Sequence, residues 1–294
     1  MSRDKIFVVE NGVNTCYMDS LLMALFYSPS TNEFLLKKDL ESNDHLLLQE
    51  YIKVHFVDQV RSGKSITSEI INMIRNLCFQ SGWRSVDYDS NPEEFFQQQD
   101  VNEFYNFIIN IFNGPMIDIK RKTIFEASHD EEGKEESIPF IPLSLPIDDK
   151  NEIKISTLLH NWLYENYCEI KRNNKTVNAL NTYEIVNCPN IIALSINRFT
   201  DLSKRNSIDI SIQKKVTIRN KSFFTPEWTF HAAICHKGSN PKQGHYYALL
   251  HHENKFYIFD DSLVPSLVEV NMSDKTITNI IKKDVVFILY RYFS

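Results

Sequence analysis
The apolar pattern changes period near residue 115, and this change constrains the fold more than any other feature of the chain. Before it, Met18, Leu21, Leu22 and Leu25 recur at i, i+3, i+4 and i+7, the spacing of one buried helix face. Asn14 and Thr15 are helix-capping residue types ahead of that segment, and Pro29 follows its end. A second helix is predicted in "QQQDVNEFYNFIINIF", with Val101, Phe104, Tyr105, Ile108 and Phe112 as its stripe and Gly114-Pro115 as its stop. After it come short β-branched or aromatic runs separated by polar turns: "NIIALSINRF", "SIDISIQKKVTI", "WTFHAAICHK", "HYYALLHH", "KFYIFDD" and "DVVFILYRYF". "PFIPLSLPI" is a further apolar run, broken by prolines. One helix is predicted among the strands, at "KISTLLHNWLYENY", and the charged "ASHDEEGKEES" (127–137) is predicted as an exposed loop. Helices followed by a largely antiparallel sheet make an α+β fold, with a cleft between the two lobes.

Composition narrows the function classes. Over 294 residues, 43% are hydrophobic and 24% charged, the balance of a folded globular chain. A net charge of -6 argues against a nucleic-acid partner, which selects for a basic excess. No stretch reaches the ~20 apolar residues of a membrane span, so no membrane partner is expected. Arg3, Asp4 and Lys5 precede only a short apolar run, unlike a signal peptide. The five cysteines (Cys16, Cys78, Cys168, Cys188, Cys235) are scattered and form no CxxC pair. Free thiols of this kind suit a reducing compartment, the cytoplasm or nucleus. Richness in Asn, Ile and Lys suits an AT-rich genome, such as that of a large DNA virus (and hence a host cell) or a protist.

Within this frame, "GVNTCYMDSLLMALF" places Cys16 where a polar turn becomes an apolar helix. A helix N-terminus favours a thiolate through the macrodipole and its unpaired N–H groups. A nucleophile needs a base, and "KQGHYYALLHHENKFYIFDDS" offers one. His245 follows a glycine that permits close approach of another chain, and Asp260 ends the next strand. A hairpin turning at Glu253-Asn254 would bring His245 and Asp260 to the same end of a sheet, where the carboxylate can orient the imidazole. Asn11, five residues before Cys16, is either an oxyanion donor beside the Cys16 N–H or half of an Asn-Gly turn. His251-His252 are expected as a solvated pair in a turn. His231, Cys235 and His236 have metal-like spacing, but Cys235 and His236 face opposite ways on a strand. "RSGKS" (61–65) is expected to be a turn, lacking the glycine spacing of a phosphate loop.

At these residues the chain resembles a known family. "NGVNTCYMDSLL" is similar to the cysteine box of ubiquitin-specific proteases, and "GHYYALLHHENKFYIFDDSLV" to their histidine box. "QQQDVNEF", "FIPLSLPI", "NCPNIIALSINRF" and "VVFILYRY" fall in the family's order, so the likeness runs from about Asn11 to Tyr292. It implies a single papain-like catalytic domain over 1–294: a helical thumb over about 1–115, then an antiparallel β palm with reduced fingers over 116–294. It implies Cys16 as nucleophile, His245 as general base and Asp260 as its orienting residue, with Asp261 able to share or exchange that role. Asn11 matches the oxyanion position, Asp100 a residue holding the extended ubiquitin tail, and Tyr246 an aromatic narrowing the channel over its Gly-Gly end. The implied partners are ubiquitin and ubiquitinated proteins, or another ubiquitin-like modifier. A non-catalytic ubiquitin-binding scaffold on the same fold is the other class.

Three positions depart from the family pattern. Val13 stands at the usual glycine three before the cysteine, which predicts a reshaped loop at Asn11. Asp19 replaces the usual asparagine three after it, as a charge that raises the Cys16 pKa or as a first-turn complement to the dipole. Cys168 stands alone with Lys171 where a second cysteine would be, and 114–137 contains none. A closed zinc site needs four ligands, so no zinc, no other cofactor and a shortened finger region are expected.

Overall fold
A computed structural model describes residues 6–29, 33–84, 96–126, 131–146, 152–172, 175–199, 205–218, 226–240 and 243–292. The first four residues of "ASHDEEGKEES", 127–130, lie outside them. Helices come first: α1 (Cys16–Phe26), α2 (Asn43–Tyr51), a wider π-type stretch (Ile52–Val57), α3 (Asp58–Arg61), α4 (Ser68–Gln80) and α5 (Val101–Ile111). α1 is buried on every side, including Asp19 and Ser20, so its sequence shows only part of the face it packs. It lies against the sheet described next, with α5 on another side.

The remaining elements are β1 (Ile117–Phe125), β2 (Glu131–Ile138), β3 (Ile141–Ser144), β4 (Ile153–Lys154), α6 (Ile155–Tyr164), β5 (Asn166–Arg172), β6 (Lys175–Ile185) and β7 (Ile191–Asn197). They continue with β8 (Ile210–Ser211), β9 (Lys215–Thr217), β10 (Glu227–Asn240), β11 (Gln243–His252), β12 (Lys255–Phe259), β13 (Leu267–Val270), α7 (Lys275–Asp284) and β14 (Val285–Tyr292). The large sheet runs β13-β12-β11-β10-β14-β7-β3, with β9 paired to β10. All its pairings are antiparallel except β3 with β7. Both faces are covered. Ala232 and Ile234 of β10, with Tyr246, Ala248 and Leu250 of β11, pack toward the helices. Ala233, Cys235, Tyr247 and Leu249 pack on the opposite face in the cluster that contains α6 and Ile281 of α7. This is why β10 and β11 read as nearly unbroken apolar runs.

A second sheet, β2-β1-β6-β5, stands apart from the first. Here the structure corrects the expected loop, since 131–138 is strand β2. Its acidic residues run antiparallel to the basic β1, with Lys120 opposite Glu135 and ion pairs from Lys120 to Glu135 and Arg121 to Glu136. Cross-strand charge pairing lets so polar a segment join a sheet. "SIDISIQKKVTI" is divided between β8 and β9, and a second helix, α7, follows the one expected at α6. The His251-His252 expectation is also corrected: both end strand β11, His251 is buried, and its Nδ1–H donates to the Phe230 carbonyl. The β11–β12 hairpin turns at Glu253 and Asn254, both with positive φ (48° and 65°), the geometry of a two-residue hairpin turn. "RSGKS" contains the turn at Ser62 and Gly63.

Candidate active site
Cys16 is the first residue of α1, and its side chain is nearly closed off at 3% exposure. The backbone N–H of Tyr246 points at its Sγ from 3.4 Å, and Gln98 Oε1 lies 3.9 Å away. Thr15, at the N-cap position, makes no capping bond; its buried hydroxyl accepts from Gly12 N–H and donates to Asp19 Oδ2, both at 2.8 Å. Asn14 likewise turns outward, donating to the Phe96 carbonyl. With the Thr15 hydroxyl engaged elsewhere, no side-chain cap occupies the start of the helix, an end that favours negative charge.

His245 reaches this sulfur from β11, and Asp260 follows the end of β12, so the hairpin delivers both to one place. His245 Nε2 donates to Asp260 Oδ1 at 2.7 Å, while Asp261 Oδ1 is farther, at 3.5 Å. Asp260, not Asp261, is therefore the carboxylate in hydrogen-bond contact with the ring. Asp260 hydrogen bonds and then the Cys16 sulfur, working against burial, raise the His245 pKa to about 10. At neutral pH the ring is therefore an imidazolium, donating from one nitrogen to Asp260 and from the other toward sulfur. Burial alone would raise Asp260, but His245 and the hydroxyl and N–H of Ser262 outweigh it and hold the carboxyl below its usual value.

Around this group lie Asn11, Asp100 and Tyr246, the other residues expected at the site. Asn11 Nδ2 donates to Asp261 Oδ2 at 2.6 Å, so its amide is tied to the loop carrying the acids. Asp100 caps α5, its Oδ1 accepting from Asn102 N–H and Glu103 N–H. The Tyr246 ring is buried beside His236, with centroids 4.6 Å apart, and within reach of the α5 start. Gln98 and His236 were not picked out for this site by sequence reasoning. Gln98 Nε2 is 3.1 Å from His236 Nε2, and burial first, then Arg205, lowers His236 to about 4. A neutral His236 thus accepts from the Gln98 amide, aiming the Gln98 carbonyl toward Cys16. The available signal was the position of Gln98 within "QQQDVNEF". Gly244, with φ +150°, passes so close that a Cβ there would meet His236 Nε2 and the Lys237 carbonyl at 2.6 Å. This is the close approach expected of the glycine before His245.

Val13 takes up a left-handed backbone conformation that favours glycine. Its φ is +73°, its side chain is 61% exposed, and Arg75 clamps the turn by donating to the Val13 and Gly12 carbonyls. A β-branched residue pays about 1–2 kcal/mol for this conformation, partly offset by the entropy glycine would lose. Val13→Gly is therefore expected to stabilise the protein by roughly 0.5–1 kcal/mol. Urea unfolding measures this, and a lower midpoint would contradict the strain.

Among the described residues, the only cluster of metal-ligating types is His245, Asp260 and Asp261, with donor atoms within 4.8 Å. Of these, His245 and Asp260 share the 2.7 Å bond described above, and Asp261 is bonded to Asn11. Cys168 instead accepts from Asn181 Nδ2 at 3.1 Å, within the β5–β6 pair. No helix of the described residues is long and apolar enough to cross a membrane.

A family model described as ubiquitin carboxyl-terminal hydrolase matches residues 9–290. Ubiquitin carboxyl-terminal hydrolase 4 of Arabidopsis thaliana is 20% identical over 337 residues, covering 90% of this chain and 86% of the relative. Among solved structures, the SAGA Ubp8/Sgf11/Sus1/Sgf73 DUB module bound to ubiquitin aldehyde superposes with a TM-score of 0.67 at 16% identity. That match covers 99% of this chain and 70% of the other. A yeast SAGA DUB module containing a mutant Sgf73 gives 0.66 at 15% identity, covering 99% and 69%. These likenesses establish the α+β, papain-like fold.

Proposed function
Because the chain belongs to the ubiquitin carboxyl-terminal hydrolase family and is a cysteine-type deubiquitinating enzyme, we propose that it cleaves the bond after the C-terminal Gly-Gly of ubiquitin through Cys16, His245 and Asp260. One observation carries this reading: β11 and the loop after β12 present an imidazolium, held by a 2.7 Å bond, to a sulfur at a helix start some 230 residues earlier.

The Cys16 sulfur attacks the glycine carbonyl, forming an S–C bond and an oxyanion. The Cys16 backbone N–H and the Asn11 amide stabilise that oxyanion, the amide pivoting from Asp261. His245 then gives its proton to the leaving lysine amine as the C–N bond breaks, and a thioester remains. Neutral His245 next takes a proton from water, whose oxygen attacks the thioester and releases the ubiquitin carboxylate and the sulfur. Asp100 holds a backbone amide of the extended tail through the oxygen that does not cap α5. Tyr246 walls a channel that admits only glycine beside the sulfur. The protein then works on ubiquitinated proteins in a reducing compartment, cytoplasm or nucleus, where its thiols stay free.

The test is ubiquitin carrying a thiol-reactive electrophile in place of its C-terminal carboxylate, followed by intact mass and peptide mapping. One adduct, mapped to Cys16, is expected. An adduct formed only with a matching probe of another ubiquitin-like modifier would change the substrate, and none with any probe would sink the catalytic reading.

A further inference from the structure
Beneath the catalytic residues lies a contact that their chemistry does not use. The carboxyl groups of Asp19, inside α1, and Asp261, in the loop after β12, lie against each other. Both residues are buried, Asp19 completely. Their outer oxygens are satisfied: Asp19 Oδ2 accepts from the Thr15 hydroxyl at 2.8 Å, and Asp261 Oδ2 from the Asn11 amide at 2.6 Å. Their remaining oxygens, both Oδ1, are buried and have no hydrogen-bond donor among the described residues. A carboxylate has only acceptors, so two can bond to one another only when one carries a proton.

We propose that Asp19 is a neutral carboxylic acid whose O–H donates to Asp261, a positioning bond that holds Asp261 between the Asn11 amide and His245. Its consequence for turnover rests on the catalytic reading above; the protonation itself does not. The surroundings explain why the proton stays. Facing Asp19 are Cys16 and Tyr17 on α1, Arg75 from α4, and Asp261, which itself adjoins Asp260 and His245 of β11. Of the cations here, His245 is bonded to Asp260, and Arg75 donates to the carbonyls of Gly12 and Val13 and to Asn72 Oδ1. Burial first, then repulsion from Asp261, puts the Asp19 pKa well above the usual carboxylate range, with the Thr15 bond a smaller opposing influence. An ionised Asp19 would set a second negative charge against Asp261 and beside the Cys16 sulfur. The neutral acid leaves one carboxylate, Asp261, free to grip Asn11.

An amide has the same shape and the same bonding capacity here. In Asp19→Asn the side-chain oxygen accepts from Thr15 and the NH₂ donates to Asp261, with no proton to lose. The sign of the pH effect follows. The unfolded chain releases the Asp19 proton near pH 4, whereas the folded chain keeps it. Stability owed to Asp19 is therefore complete below about pH 4 and is lost as the pH rises toward the folded value.

The experiment compares the full-length protein with Asp19→Asn and Asp19→Leu. Infrared difference spectra of wild type minus Asp19→Asn are expected to show the C=O band of a protonated carboxylic acid at neutral pH. The melting-temperature advantage of Asp19→Asn is expected to be near zero at about pH 4 and to grow to several degrees by about pH 8. Ubiquitin-amide turnover should fall at least about tenfold in Asp19→Leu, and Asp19→Asn should restore most of it. No acid band, or a melting advantage independent of pH, would overturn the proposal whether or not the enzyme turns over. If both acid signatures appear while neither variant is active because wild type is also inactive, the catalytic reading fails and the protonated Asp19 stands.

Discussion
Cys16→Ala is expected to cut hydrolysis of a ubiquitin C-terminal amide by at least about ten-thousand-fold while leaving the fold and ubiquitin binding in place. The thiol is the only candidate nucleophile in contact with His245 among the described residues, so no neighbouring group there can take the sulfur's place. What remains is binding and oxyanion stabilisation, which accelerate water attack only weakly. The structural cost is small. Removing one buried sulfur forfeits the contacts from Tyr246 N–H and Gln98 and leaves a void of atomic size, about 1 kcal/mol or a few degrees of melting temperature. Steady-state kinetics, calorimetry of ubiquitin binding and a thermal scan separate these quantities. Unchanged turnover in Cys16→Ala would remove the sulfur from the mechanism, whereas lost turnover with lost folding would require Cys16→Ser to decide.

The second large effect concerns His245. His245→Gln preserves a hydrogen-bond donor to Asp260 but cannot carry a proton from thiol to leaving amine, so kcat should fall by about a thousandfold or more. The substitution also removes a pH signature. His245 is raised from 6.5 to about 10 in the fold, so the stability it contributes is fully present below about pH 6.5 and disappears as the pH rises through about 10. The wild type should therefore exceed His245→Gln in unfolding free energy at neutral pH, with the gap closing at strongly alkaline pH. Chemical denaturation at a series of pH values measures it. A gap that does not narrow would mean that the Asp260 and Cys16 contacts do not hold the proton.

Cys16, His245 and Asp260 could be singled out in the sequence because each carries a local mark: Cys16 sits at a turn-to-helix change, His245 follows a glycine, and Asp260 closes a strand. Their convergence was legible too, since the Glu253-Asn254 turn sets the register of one hairpin. What local pattern could not supply was the partner across the chain. The acidic 131–138 segment becomes a strand only because β1 opposite it is basic, and nothing within the segment says so. The strands of β1, β5 and β6 are polar on the side they leave exposed and went unread for the same reason, although Ile117, Ile119 and Phe125 do alternate with more accessible residues. His251 looked solvated because burial of a polar residue depends on Phe230 and Phe256 packing over it, which no window of sequence displays. Helix α7 had readable signals in the Asp274 cap and in Ile277 and Ile281 at helical spacing, and the density of strands around it masked them. Asp19 was read as a charge because an isolated aspartate is one. Its neutrality follows from Asp261, 242 positions away in the chain, just as the Asn11 bond to the same residue spans 250.

The order of strands in the large sheet bears on when activity can begin. β14, residues 285–292, lies in its interior, paired to β10 on one side and β7 on the other. A chain still on the ribosome has Cys16 early and His245 and Asp260 much later, and the large sheet is split until β14 emerges and inserts. Ordering so many distant pairings is slow and happens after synthesis of that segment. A product that stops short of β14 leaves β10 and β7 without the strand that joins them.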